Sequence, residues 1–252
     1  MRSDFSFSRL LPGLLCAVLS VAVLTAAVPV RAAEPLFVRM HTEKGEILLV
    51  LYPELAPHHV DNFVHLAETG FYDGTYFHRI IPGFMIQGGD PNSKDTDPRN
   101  DGMGGPTLRD VLDEQEWQQV EKTNGMLAGK GYADLQGPAN LKEEFSTTAK
   151  HVRGTLSMAR SRNVDSAGSQ FFICVADAPS LDGQYTIFGH VVAGMEVADE
   201  IVGGEKNPAA GRDFPAIPVH ITAMDVIHGT PGLTPAEADA WQAMDPTLKN
   251  AP

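Results

Sequence analysis

Apolar residues between positions 36 and 52 come in two dense runs, LFVRMHT (36–42) and GEILLVLY (45–52), parted by Glu43 and Lys44 with Gly45 following. Runs this short, rich in β-branched and aliphatic side chains and broken by a turn signal, predict two strands joined as a hairpin. The period then changes. In APHHVDNFVHLAETG, Val60, Phe63, Val64 and Ala67 fall at i, i+3, i+4 and i+7, with Pro57 near the first turn and Gly70 just past the end, which predicts an amphipathic helix. Strand-like runs recur at 76–81, 84–88, 154–159, 170–175, 186–192 and 219–227, while MEVADEIV (195–202) offers a second helical face of Met195, Ala198 and Ile201 or Val202. Many short strands with two good helices point to a mainly β barrel or sandwich with helical plugs.

Two segments stand outside this rhythm. Residues 92–144 open on NSKDTDPRNDGMGGPT and close on TNGMLAGKGYADLQGPANLKEE, both rich in glycine and polar residues. A structureless loop of that length is unusual in a compact domain, so the middle is predicted to be a helix carrying Leu108, Val111, Leu112 and Trp117. The whole is read as an insertion on one face, outside the barrel. After residue 228, Thr234 as cap, Pro235 at the first helical position and Glu237 at the capping-box position predict a short helix, followed by a frayed end.

The N-terminus changes the domain count. Arg2 and Arg9, the apolar run LLPGLLCAVLSVAVLTAAV and the small residues of Val30-Arg31-Ala32 read as an export signal over residues 1–32, cleaved after Ala32 or Ala33. The competing reading is an uncleaved anchor, since Leu10–Val28 is long enough to span a bilayer. Cleavage leaves about 220 residues, the size of one domain: a barrel over 33–228 containing the insertion, and a tail over 229–252. The net charge of −13 becomes −15 once Arg2, Arg9, Arg31 and Asp4 are removed, leaving 16 basic against 31 acidic residues. That argues against nucleic acid or anionic lipid as a partner and for an aqueous compartment, the periplasm being the expected address. Cys174 alone survives processing, in the apolar QFFICVA, so no internal disulfide forms and the thiol is expected to be buried and inert.

One strand-like stretch, YFHRIIPGFMIQGGD (76–90), carries a permanent cation, Arg79, among isoleucines, phenylalanines and a methionine. Burying that charge is costly unless something offsets it, so Arg79 either faces out or lines a pocket that needs it. Here the chain resembles the cyclophilin family of peptidyl-prolyl isomerases. The resemblance runs from about Leu36 to Ile227, interrupted by the insertion, through NFVHLAETGFYDGTYFHRIIPGFMIQGGD, RGTLSMAR and SAGSQFFICVADAPSLDGQYTIFGHVVAGMEV. Several blocks in order are far more specific than one short motif. The resemblance implies a closed eight-stranded antiparallel β-barrel capped by two α-helices, the insertion adding a partly helical loop.

It also implies the site. Arg79 is then the catalytic arginine; Phe84, Met85, Gln87, Ala159, Gln170, Phe172, Leu181 and Tyr185 line the groove, with His78 beside them. The residue types suit the chemistry. Rotation about an X-Pro bond breaks amide resonance, against a barrier of about 18–20 kcal/mol. In the twisted transition state the proline nitrogen is no longer conjugated and accepts a hydrogen bond, so a fixed donor binds that state better than either planar isomer. Arg79 is such a donor. Phe84, Met85, Phe172 and Leu181 supply an apolar pocket for the proline ring, and Gln87 and Gln170 can hold peptide backbone. No nucleophile, metal, cofactor or proton transfer is required. Tyr185 stands where many members carry histidine. Ser180 departs from the tryptophan of the best-known members, a change that bears on binding of the inhibitor cyclosporin more than on catalysis.

His58, His59 and His65 on the first predicted helix lack metal-ligand spacing and are expected to be solvated or capping. DVLDEQEW has no calcium-loop spacing and reads as a charged helix face. The sequence therefore reads as a monomeric isomerase acting on X-Pro bonds in exported proteins, with proline-containing segments of unfolded chains as partners. The alternative is a proline-binding chaperone or scaffold with little turnover.

Overall fold

The computed structural model describes residues 34–95, 97–122, 129–134 and 137–249. The predicted signal segment lies outside them. Eight strands form one antiparallel sheet: β1 (Leu36–Thr42), β2 (Gly45–Leu51), β3 (Arg79–Ile81), β4 (Met85–Gly88), β5 (Thr155–Met158), β6 (Phe171–Cys174), β7 (Ile187–Ala193) and β8 (Ile221–His228). Their order is β3-β4-β6-β5-β7-β2-β1-β8, and the sheet curls into a half-barrel around its core. All eight occur where the sequence pattern places them, mostly a residue or two shorter.

The predicted hairpin pairs Leu36 with Leu51 through to Thr42 with Gly45, turning on Glu43 and Lys44. Residues 47–51 of β2 are buried without alternation. The reason is a second layer. Ile47, Leu49 and Leu51 face the main core with Val38 and Met40, whereas Leu48, Val50 and Tyr52 face a separate cluster with Phe37. The C-terminal segment covers that outer cluster: Trp241 of α5 (Pro235–Ala243) meets the Phe37 ring edge-on with centroids 5.1 Å apart. The predicted capping box is present, Thr234 Oγ1 accepting from Glu237 N at 3.3 Å and Glu237 Oε2 accepting from Thr234 N at 2.7 Å. Glu237 also takes both ends of a fork from Arg39 of β1, at 2.7 and 2.6 Å. The expected frayed end is instead helical over Pro246–Lys249 and docked, with Tyr52 donating its hydroxyl proton to the Leu248 carbonyl.

Helix α1 (Pro57–Glu68) buries Val60, Phe63, Leu66 and Ala67. Its N-cap residue, Ala56, has no side chain that can accept a bond. Glu144 takes that part from 85 residues away, its carboxylate accepting from His58 N at 3.2 Å and His59 N at 3.1 Å. That satisfies orphan donors at a helix end where negative charge is favoured. The same carboxylate bonds His59 Nδ1 at 2.7 Å, and His59 is fully buried rather than solvated. Helix α4 (Met195–Val202) forms as expected and contacts β2, β3 and β4.

Among the described residues, the inserted segment holds two α-helices where one was expected, α2 (Leu108–Val111) and α3 (Glu114–Lys122). The break falls at Leu112 and Asp113 because Asp113 starts a new capping box, its carboxylate accepting from Glu116 N at 2.8 Å while Glu116 accepts from Asp113 N at 3.2 Å. Leu108, Val111, Leu112, Tyr132, Ala139 and Leu141 all belong to the main apolar cluster. The segment lies beside the sheet, as expected of an excursion, but it shares the core instead of standing apart from it.

Candidate active site

Register builds the site. Arg79 on β3 pairs with Gln87 on β4, Gln87 with Phe172 on β6, and Phe172 with Ser157 on β5. The adjacent row, Ile80, Ile86, Ile173 and Leu156, pairs likewise and is buried in the core. Because side chains alternate between faces along each strand, a core row of isoleucine and leucine obliges the row beside it to face the other way. The arginine is thus carried to the outer face of the sheet by the same alternation that buries its neighbour.

A cavity of about 200 Å³ opens there, lined by Arg79, Phe84, Met85, Gln87, Ala159, Arg160, Phe172, Leu181 and Tyr185. Met85 and Phe172 of this lining belong to a buried apolar cluster with Cys174 and Ala178, against which Ile81, Phe84, Ala159, Leu181 and Tyr185 pack. Burial pushes the Cys174 thiol up to about 12, which keeps it protonated and inert. His151 stacks on Phe172 at 6.0 Å, anchored through Nδ1 to Asp182 and Nε2 to Ser157, each at 3.1 Å. Tyr185 meets Phe172 edge-on at 5.8 Å.

Arg79 is fixed at the mouth. Its Nη1 donates to Gln87 Oε1 at 3.3 Å, and its Nε lies 3.7 Å from the Asp213 carboxylate, with the side chain 41% exposed. Gln87 Nε2 donates to Gln170 Oε1 at 3.0 Å, and Gln170 Nε2 donates to the Gly104 carbonyl at 2.7 Å. This chain of amides links the arginine to the inserted segment. Gly104 is placed in turn by the fully buried Asp90, which accepts from Asn92 N at 2.8 Å, from Gly104 N at 3.2 Å and from Gly102 N. A second, more polar cavity of about 220 Å³ adjoins the first. It shares Gln87, Ala159 and Arg160 with it and is otherwise walled by Gln170, residues 102–105, Pro138, Asn140, Ser161, Ser166, Gly168 and Ser169.

Eight of the ten residues expected at the site therefore line one cavity. Gln170 lines the adjoining one, and His78 lines neither. The His78 ring is buried against Gly102, where burial holds its imidazole down to about 4 despite the nearby Asp90 carboxylate.

The family model described as cyclophilin type peptidyl-prolyl cis-trans isomerase/CLD matches residues 37–226. The chain belongs to this family. Peptidyl-prolyl cis-trans isomerase A of Dickeya dadantii is 37% identical over 225 residues, covering 85% of this chain and 97% of the relative. A peptidyl-prolyl cis-trans isomerase of Arabidopsis thaliana is 36% identical over 195 residues, covering 77% and 97%. Among solved structures, a cyclophilin-type isomerase of Cryptosporidium parvum determined in the presence of the dipeptide Ala-Pro superposes with a TM-score of 0.58 at 28% identity, covering 77% of this chain and 99% of that one. The chain is a cyclophilin-type peptidyl-prolyl cis-trans isomerase.

For this cyclophilin, sequence reasoning passed over Arg160, Asp213 and His151. Arg160 stands in the quoted RGTLSMAR beside Ala159, so its proximity to the groove was available. Asp213 reaches Arg79 from a loop 134 positions away, and no spacing rule connects them. Among the described residues no group of three or more His, Cys, Asp or Glu side chains could hold a metal ion, and no helix is long and apolar enough to cross a membrane.

Proposed function

We propose that Arg79 is the catalytic group and that the adjoining apolar cavity holds the substrate proline. The observation that carries this is the placement of one fixed guanidinium at the edge of a cavity whose apolar wall includes Phe84, Met85, Phe172 and Leu181. A proline ring seated there is desolvated, and the developing lone pair on its nitrogen meets a charge-assisted donor in a medium of low dielectric. Catalysis needs no bond made to the protein. Gln87 holds the guanidinium, presents its amide to the peptide backbone and is itself held by Gln170; Phe84, Ala159, Leu181 and Tyr185 close the sides. His78, a buried ring kept neutral by its burial, packs against Gly102 of the inserted segment.

The substrates are X-Pro segments of exported polypeptides, the protein acting as a periplasmic monomer after removal of residues 1–32. The basic end, apolar run and small-residue site of that segment support this. The barrel closes between the residues preceding β3 and the start of β8, supported by bonds from Gly74 N to Ile221 O at 2.8 Å, Ile221 N to Thr75 O at 2.8 Å and Phe77 N to Val219 O at 3.3 Å. It spans 33–228, with 92–144 inserted and 229–252 as a tail. A tetrapeptide isomerisation assay on the chain without residues 1–32 tests the site. Turnover that Ala-Pro-containing peptides inhibit competitively is expected, and a folded protein binding such peptides without accelerating rotation would replace the enzyme reading with a binding module.

A further inference from the structure

Arg160 occupies the wall shared by the two cavities, and it is held there with unusual completeness. Its Nε and Nη2 donate to the Gln184 carbonyl at 3.0 and 2.8 Å, and Nη1 donates to the Ser161 carbonyl at 2.9 Å. The guanidinium carbon lies 4.5 Å from the centroid of the Tyr185 ring and 5.9 Å from that of Phe145. Three of five N–H donors are thereby used and the plane is fixed, while one N–H on each terminal nitrogen is left. None of these partners is an anion. Arg39, Arg79, Arg99, Arg109, Arg153 and Arg212 each have a carboxylate within ion-pair distance. Among the described residues Arg160 and the nearby Arg162 have none, although the chain carries 32 acidic against 19 basic residues, and of these two only Arg160 lines the cavities.

We propose that Arg160 is a specificity-determining residue, its guanidinium favouring substrates that carry a carboxylate on a residue flanking the proline. The inference rests on the reading that the apolar cavity takes the proline ring. With the ring there, the neighbouring residue of the peptide passes the shared wall, where a pre-oriented fork offers charge and two donors. Arginine fixed in this way loses little side-chain freedom on binding a carboxylate. A lysine at the same peptide position meets like charge. The site is open to solvent, so the preference is moderate and screened by salt.

Protease-free isomerisation kinetics on tetrapeptides with Glu, Gln or Lys placed before or after proline test this. At low ionic strength kcat/KM is expected to favour Glu over Lys by about fivefold at one of the two positions. Added salt compresses that ratio, Arg160→Lys retains much of it, and Arg160→Gln reduces it to near unity. A purely structural role for Arg160 would lower all peptides together and leave the ratio unmoved, which overturns the proposal, as do equal rates for Glu and Lys peptides in the unaltered protein. The Gln peptides report on the cavity reading by itself. No acceleration of them overturns that reading and this one with it, whereas acceleration without the Glu-over-Lys ratio overturns only the role of Arg160.

Discussion

The two cavities share a wall but are built on different principles. On one side Arg79, Gln87, Phe172 and Ser157 stand on four neighbouring strands, where backbone pairing sets their spacing. On the other, residues 102–105, Pro138 and Asn140 come from a segment with no strand among its described residues, tied down in part by side chains gripping backbone. Asp90 grips Gly102 and Gly104, Asn92 Nδ2 donates to Asn100 O at 3.0 Å, and His65 Nε2 pairs with Asp110 O at 3.1 Å. A ladder admits little adjustment, because a slip of one residue turns every side chain to the opposite face. A loop held by a few polar anchors can change sequence while the anchors stay. Chemistry that needs one orientation belongs on the ladder, and contacts that distinguish substrates belong beside the loop.

The largest effect should come from removing the anchor on which the second region hangs. Asp90→Ala leaves the Gly102, Gly104 and Asn92 amides without their common acceptor at a fully buried position. Urea unfolding should show a loss of about 3–5 kcal/mol, the range for breaking a buried charge-assisted cluster. An unchanged midpoint would mean that the segment is held by its apolar contacts alone.

Arg79→Ala tests the ladder side. It should lower kcat/KM by about 10²-fold, near 2.7 kcal/mol, through loss of one oriented donor, with the melting temperature little changed. Ladder positions built for chemistry and not for stability should separate the two readouts in this way, and a variant that melts early while retaining turnover would reverse the assignment.

The junction of the two regions is His78, and it makes the contrast depend on pH. Burial lowers its imidazole from 6.5 to about 4. Between those values the unfolded chain binds more protons than the folded one, so stability falls as pH drops through 6.5 and keeps falling to about 4. The loss at this residue should be on the order of 3 kcal/mol. His190 on β7 is lowered to about 4 by burial as well, so His78→Gln should flatten the acid limb of a stability profile without abolishing it. Identical profiles for the two proteins would show that the junction does not sense protons.

How far each region could be read from sequence follows the same division. Alternation and period marked the strands, α1 and α4, and the row of Arg79 with Gln87, because local pattern and tertiary environment agree there. The run from Ile47 to Leu51 was legible as a strand, but only the structure shows that it is buried on both faces and that α5 supplies the second layer. The helix through Leu108 and Trp117 was legible as an apolar face, but Asp113 as a cap competes with Asp113 as a helix-face residue, and the sequence alone does not decide between them. Least legible were partners far apart in the chain: Glu144 capping α1, Asp213 beside Arg79, and the Gly104 carbonyl on Gln170. Each depends on how the loops return, and periodicity carries no information about that.

Gln170 links the two regions by hydrogen bonds at the arginine, and the smallest predicted effect is the most telling. It receives from Gln87 and donates to Gly104, so it acts on Arg79 through Gln87 and touches neither partner's charge. Losing one neutral link in such a chain is worth about 1 kcal/mol, hence a fall in kcat/KM of about fivefold for Gln170→Ala. The fall should lie mainly in kcat, since a guanidinium free to swing binds the planar peptide almost as well but meets the twisted nitrogen less often. In a protein that already carries Arg79→Ala, the same substitution should have almost no further effect, because there is nothing left to orient. A full fivefold loss in that double variant would show that Gln170 contacts the peptide by its own route, and the insertion would then reach the chemistry only through the substrate.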